Sequence, residues 1–287
     1  MGMKPLLTLE TDIPYGTGSG RDLLLDVLRP DVPMAPPRPA VIWVHGGGWR
    51  GGSREPNPNP LLARRGFVTA SIGYRLSDEA IFPAQIHDVK AAIRFLRHNA
   101  NHWGIDPERI GIWGHSAGGH LAALMAVSAG LPALEGEGGC ADESSEVQAA
   151  APMSPTTDFL VDWYRESGLP VHEDGLSAIA ELLDGLDLDD PVIRDRAALA
   201  SPVAMVTAEA APMLIVHGSD DDLVPIRQAR KLVEGLTKVG VEASLLELPG
   251  IGHSREAMIG PEEAPISAVR KHVLDFFVRM LGPVPKP

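Results

Sequence analysis

The 287 residues carry 25 Lys and Arg against 38 Asp and Glu, a formal net charge of −13, with 44% hydrophobic and 22% charged residues. This is the balance of an ordinary globular chain, which excludes a disordered or fibrous one, and its acidity leaves no electrostatic footprint for nucleic acid or an anionic membrane. The single cysteine, Cys140, excludes a disulfide framework and a cysteine-built zinc site, and a chain this long buries roughly three quarters of its unfolded surface without either.

In chain order, residues 6–13 and 23–28 are strand-like and flank Gly16-Thr17-Gly18-Ser19-Gly20. Three glycines suggest a phosphate loop, but no helix follows them, so the segment is expected to be a hairpin turn joining two antiparallel strands. A proline-rich link over 30–39 leads to an apolar strand over 40–44, and further apolar runs fall at 67–74, 109–114, 147–153, 212–217 and 243–248. Runs that are apolar on both faces suit a buried parallel sheet. Helical patterns lie between them at 84–99, 117–129, 227–238 and 266–281; in the first, Ile86, Val89, Ile93 and Leu96 follow the 3.6-residue period. Strand–helix alternation predicts a single α/β domain over 1–287, a mostly parallel, doubly wound sheet with an antiparallel start. Residues 159–201 break the rhythm with acidic, helix-compatible sequence and no clear strand. They are expected to form a cap or lid insertion over the sheet's carboxyl edge, the competing reading being a solvated helical excursion. The N-terminal residues lack an apolar signal-peptide core, and no apolar run reaches the roughly 18–20 residues of a membrane span. A cytoplasmic protein with no membrane partner is therefore expected.

Chemistry concentrates at the ends of the apolar strands. Gly114-His115-Ser116-Ala117-Gly118 follows one strand and precedes a helix. A serine in so tight a turn needs glycine two positions to either side, and the turn lifts its hydroxyl above the sheet with a helix N-terminus behind it. A serine hydroxyl is a weak nucleophile at neutral pH, so it requires a base, and the base an orienting acid. The strand ending near His217 runs into Ser219-Asp220-Asp221-Asp222, three candidate acids on one loop. The strand ending at Leu248 runs into Pro249-Gly250-Ile251-Gly252-His253. His253 is the one late histidine on a loop that follows a strand, and it is the candidate base. Upstream, His45-Gly46-Gly47-Gly48-Trp49 follows the 40–44 strand; Gly47 and Gly48, with Ala117, are the expected N–H donors to a developing oxyanion. His98 and His102 have helical spacing but no accompanying Glu, so no metal site is expected.

These motifs resemble those of the serine carboxylesterases of the α/β-hydrolase fold, in the hormone-sensitive-lipase-like group and its feruloyl and acetyl-xylan esterase branch. The resemblance runs from about Val41 to Phe277. It also rests on Tyr74-Arg75-Leu76-Ser77, on the segment from Phe82 to Lys90 and on that from Gly104 to Ile110. The acid-loop pattern of such enzymes falls on His217, Gly218, Asp221, Val224 and Pro225, which selects Asp221 among the three carboxylates. Esterases of this kind usually place Pro-Thr-Asp one residue after the methionine that ends a strand, whereas here Ser154-Pro155-Thr156-Thr157-Asp158 carries an extra threonine. The resemblance implies a Ser116–His253–Asp221 triad acting through an acyl-enzyme on small-molecule esters of short to medium acyl or aromatic acids, with no cofactor. Trp49, Phe159, Trp163 and Ile251, which flank the motifs or lie in the insertion, are the expected pocket residues. The competing readings are an amidohydrolase of the kynurenine formamidase type and a non-catalytic binding protein on a hydrolase scaffold.

Overall fold

A computed structural model describes residues 6–32, 36–55, 59–161, 168, 170, 172–260 and 267–284. The strands are β1 (Leu7–Gly18), β2 (Arg21–Pro30), β3 (Arg38–Val44), β4 (Val68–Ile72), β5 (Ile105–His115), β6 (Ala149–Met153), β7 (Met213–Gly218) and β8 (Ala243–Leu248). The helices are α1 (Pro60–Arg64), α2 (Ala84–His98), α3 (Ala100–Trp103), α4 (Ala117–Val127), α5 (Pro132–Glu135), α6 (Glu173–Leu183), α7 (Pro191–Ala200), α8 (Arg227–Lys238), α9 (Arg255–Ile259) and α10 (Ala268–Leu281). The strands form one eight-stranded sheet in the order β1-β2-β4-β3-β5-β6-β7-β8. β1 and β2 are antiparallel, as are β2 and β4, and every later neighbour is parallel. This is the α/β-hydrolase fold, with the expected antiparallel start.

The apolar runs are explained by burial on both faces. Ala40, Ile42 and Val44 of β3 point into one hydrophobic cluster with α2 and α4, while Val41 and Trp43 point into the other with Val273 and Phe277 of α10. Every residue from Ala117 to Ala126 is buried, so α4 is apolar all round rather than striped, as befits a central helix. α8 is the opposite case: Gln228, Ala229, Leu232 and Leu236 form its buried face. Side chains cap α7, α9 and α10. Asp190 accepts from the Val192 N–H at 2.8 Å at the start of α7, with Pro191 behind it, and Ser267 accepts from Arg270 N–H at 3.2 Å at the start of α10.

Two segments differ from their sequence patterns. β5 begins at Ile105 rather than near Arg109: the Arg109 guanidinium holds the Asp106 carboxylate at 2.7 Å along this extended segment, and the register shifts there. The acidic stretch 131–145, which carries no apolar run or helical period, contains α5. Glu135, in that helix, accepts from Lys90 at 2.6 Å, Arg94 at 2.9 Å and Ser145 at 2.9 Å. Lys90 is wholly buried, so Glu135 supplies the partner its charge needs there. Within 159–201 the described residues contain two helices and no strand. No helix among the described residues is long and apolar enough to cross a membrane.

Candidate active site

Because β3, β5, β7 and β8 run parallel, their carboxyl ends open on one edge of the sheet, where α/β folds hold ligands. Ser116 sits between the end of β5 and the start of α4 at φ 57°, ψ −120°, a conformation that costs a non-glycine residue energy and persists only when its surroundings enforce it. The enforcement is visible. The Ser116 N–H donates to Met153 O at 2.9 Å, and its carbonyl accepts from His120 N–H at 2.8 Å. A Cβ on Gly118 would lie 2.1 Å from Val44 O, and one on Gly114 2.5 Å from Gly118 O. Only glycine lets helix and strand approach this closely.

His253 Nε2 lies 2.8 Å from Ser116 Oγ, and His253 Nδ1 lies 2.8 Å from Asp221 Oδ2. The three side chains singled out in the sequence thus form one hydrogen-bonded chain. Asp221 is 3% exposed. Burial alone would raise its carboxyl, but hydrogen bonds from His217 and His253 outweigh it and hold the group well below the usual carboxylate range. With Asp221 ionised, Nδ1 of His253 carries the proton and Nε2 is left to accept from the Ser116 hydroxyl. The Val224 N–H donates to Asp221 Oδ1 at 2.8 Å, and His217 Nε2 bridges Val224 O at 2.7 Å and Asp221 Oδ2 at 3.3 Å. His217 therefore fixes the acid loop, as its place before it suggests. The neighbouring His115 ring lies 4.9 Å from that of His253; burial and the adjacent His253 push His115 down to about 3.

The glycine loop runs through three successive residues at positive φ, Gly47 (116°), Gly48 (60°) and Trp49 (58°). It is held from below. The Trp49 carbonyl accepts from Ser77 N–H at 2.9 Å, and its indole N–H donates to His120 Nδ1 at 3.1 Å. His120 Nε2 in turn donates to Ala200 O at 2.8 Å, so His120 is the neutral tautomer; burial lowers it to about 4. Nothing in the sequence pairs position 49 with position 120, since the bond depends on how the loop folds over α4. Ala117 opens α4, where backbone N–H groups have no partner within the helix.

Ser116, His253, Gly47, Gly48, Trp49 and Phe159 line one cavity of about 560 Å³. Its far wall comes from the 159–201 stretch and is mostly apolar: Leu176, Ala178, Ile179 and Leu183 of α6, then Leu186 and Leu188, with Asp174 of α6 the charged member. Of the four expected pocket residues, Trp49 and Phe159 stand there with rings 5.8 Å apart. Ile251 does not. Its side chain packs against the hydrophobic cluster around α10, and its carbonyl accepts from Asp220 N–H at 3.0 Å, so it ties the histidine loop to the acid loop. Trp163 lies outside the described residues. Sequence reading missed Thr156 and Gln228, which also line the cavity; Gln228 lies in an ordinary amphipathic helix that gives no signal. No group of three or more His, Cys, Asp or Glu side chains among the described residues is placed to hold a metal ion.

Residues 25–236 match the BD-FAE family. The chain is 38% identical over 250 residues to Esterase LipQ of Mycobacterium tuberculosis (strain ATCC 25618 / H37Rv), covering 85% of this chain and 56% of that protein. It thus spans a little over half the length of that curated relative. Among solved structures it is similar to a truncated form of a carbohydrate esterase from gut microbiota, with TM-score 0.79, 30% identity and 97% of both chains covered. It is also similar to a thermophilic esterase from the Planctomycetes species Thermogutta terrifontis, with TM-score 0.76 and 27% identity over 96% of this chain and 94% of that one. A family match across most of the chain, joined to the sheet order described above, carries one conclusion: this chain belongs to the BD-FAE family, on an α/β-hydrolase fold.

Proposed function

We propose that the chain is a serine carboxylesterase that hydrolyses esters of short to medium acyl or aromatic acids through an acyl-enzyme. The observation that carries the reading is the unbroken chain Ser116 Oγ–His253–Asp221, with both links at 2.8 Å. The named esterases among the chain's relatives support the same activity. As the Ser116 oxygen attacks the ester carbonyl, its proton passes to His253 Nε2, and the buried Asp221 carboxylate stabilises the imidazolium. The tetrahedral intermediate's oxyanion is met by N–H groups of Gly47, Gly48 and Ala117. Collapse breaks the carbon–oxygen bond to the alcohol, which leaves with the proton held by His253. Water then enters by the same route: His253 takes its proton, its oxygen attacks the acyl carbon, and the acid departs as Ser116 recovers its hydrogen. The 159–201 stretch acts as a cap, and its leucine-lined wall favours an apolar acyl chain over a charged one.

The test is labelling of Ser116 with a fluorophosphonate, followed by a panel of acetyl to octanoyl and feruloyl esters with N-formylkynurenine included. Labelling at Ser116, with turnover of esters far above that of the formamide, is the expected result; Ser116→Ala should lower kcat by 10⁴-fold or more. An unlabelled Ser116 would favour a binding protein on this scaffold, and faster hydrolysis of N-formylkynurenine an amidohydrolase.

A further inference from the structure

Leucines and Ile179 dominate the cavity's α6 side, where Asp174 also stands, and three polar side chains, Thr156, Asp158 and Gln228, line it elsewhere. Thr156, beyond the end of β6, is 5% exposed, and Gln228, in the first turn of α8, is 4% exposed; both line the cavity that holds Ser116. The orientation of the Gln228 amide is fixed by chemistry. Its Oε1 accepts from Thr157 N–H at 2.6 Å and from Asp158 N–H at 3.2 Å, and two backbone donors can be met only by the oxygen. All hydrogen bonds of this side chain among the described residues are made by Oε1, so the two N–H donors of Nε2 are left for the cavity. The Thr156 hydroxyl likewise has no hydrogen-bond partner among the described residues. Their neighbour Asp158 is committed elsewhere: Oδ1 accepts from Leu160 N–H at 2.9 Å, and Oδ2 holds Lys231 Nζ at 2.6 Å.

A buried polar group pays for its desolvation unless something bonds it, and a few convergent polar groups in an otherwise apolar pocket are what orient a ligand. We propose that Thr156 Oγ1 and Gln228 Nε2 together form a subsite for a neutral acceptor oxygen of the substrate, a hydroxyl, ether or carbonyl placed beyond the ester group itself. The proposal rests on the esterase reading and deepens it. The substrate class becomes esters that bear a second oxygen, and Thr156 and Gln228 become residues that set specificity. The oxygen can lie on the acyl or the alcohol side, and the same donors would recognise either.

The experiment uses pairs of esters that exchange one CH₂ for oxygen. On the acyl side these are 4-nitrophenyl 4-methoxybutanoate and hexanoate; on the alcohol side, 2-methoxyethyl and butyl butanoate. Each kcat/KM is divided by the ester's own hydroxide-catalysed rate, and the ratio of oxygen to CH₂ ester is measured at pH 8. The wild-type chain should show a ratio of about five or more in one arm, and the arm identifies the side. Thr156→Val, which keeps the shape, and Gln228→Glu, which keeps the acceptor for Thr157 and Asp158 while removing the donors, should each bring that ratio to within about two-fold of unity. Thr156→Ser, which keeps the hydroxyl, should restore it. Ratios near unity in both arms, or a wild-type preference that survives both variants, would overturn the subsite. Fluorophosphonate labelling of Ser116 accompanies every protein. A labelled enzyme with flat ratios refutes the subsite alone, whereas an unlabelled wild-type chain refutes the esterase reading and the subsite with it.

Discussion

The elbow around Ser116 and the α6 wall that faces it across the cavity are built on opposite principles. At the elbow, backbone packs on backbone: Gly118 sits where any Cβ would meet Val44 O at 2.1 Å, and Ser116 is held at positive φ by bonds to β6 and α4. The α6 wall touches the glycine loop through side chains. Arg50 reaches Glu181 at 3.3 Å, Ser177 at 3.2 Å and Asp174 at 3.8 Å, all near solvent. The difference teaches where each kind of precision is needed. Proton transfer along a serine–histidine–carboxylate chain tolerates little displacement, so its parts grow from sheet ends that cannot shift separately. Under the proposed function the α6 wall only has to exclude water and accept an acyl chain, a task that weaker, adjustable contacts suffice for.

The most forceful way to break this contrast is Gly118→Ala. The added methyl meets main-chain oxygens of both Val44 and His45, at 2.1 and 2.5 Å, and no rotamer can relieve it. A loss of at least about 3 kcal/mol of stability is expected, read by chemical denaturation. A variant as stable as the parent would show that the elbow is softer than its geometry implies.

Acid probes the layer just beneath. His115 and His120, pushed down to about 3 and about 4 mainly by burial, bind protons in the unfolded chain below about pH 6.5 but not in the folded one. The unfolded state therefore holds more protons between those limits, and stability falls as pH drops from about 6.5 toward 4. At pH 5 each group costs on the order of 2 kcal/mol relative to pH 8. Asp221 has the same sign in a lower window: its depressed carboxyl stabilises the fold above the ordinary carboxylate range, and that contribution is lost as pH falls below about 4. Denaturation at pH 8 and pH 5 should thus show a decline that His120→Asn makes shallower. An equal slope in that variant would assign the acid sensitivity to other groups.

The same division governs what could be read without coordinates. The elbow, the glycine loop and the two late loops were legible because strand-end chemistry leaves local signatures, glycines at fixed offsets and a histidine or carboxylate just past an apolar run. The eight strands were legible as runs, and 243–248 matched β8 at both ends. Their order was not, since β4 lies between β2 and β3 and an apolar run does not say which neighbour it will meet. Ile251 misled for a related reason. Proximity in sequence to His253 suggested the pocket, but the loop turns its side chain toward the opposite core while the backbone bonds Asp220. Thr156 and Gln228 carry no pattern at all, because their meaning depends on an amide whose orientation is set by two backbone N–H groups 70 or so positions away.

The gentlest test falls on Arg50, whose side chain is 35% exposed and whose partners Glu181 and Asp174 are more exposed still. Ion pairs in such positions contribute less than about 1 kcal/mol and weaken as salt screens them. Arg50→Ala should therefore leave global stability within that margin, and the margin should shrink on raising NaCl from 50 mM to 500 mM. Local behaviour should change more. Ala178 of α6 lies 3.2 Å from where a Gly48 Cβ would stand, so α6 and the glycine loop touch directly, and the Arg50 fork is what spans them beyond that contact. Hydrogen exchange over 173–183 should accelerate in Arg50→Ala while the amides of α4 behind Ser116 keep their protection. Equal acceleration in both regions would mean that the wall and the elbow open as one unit, and the contrast between them would have to be abandoned.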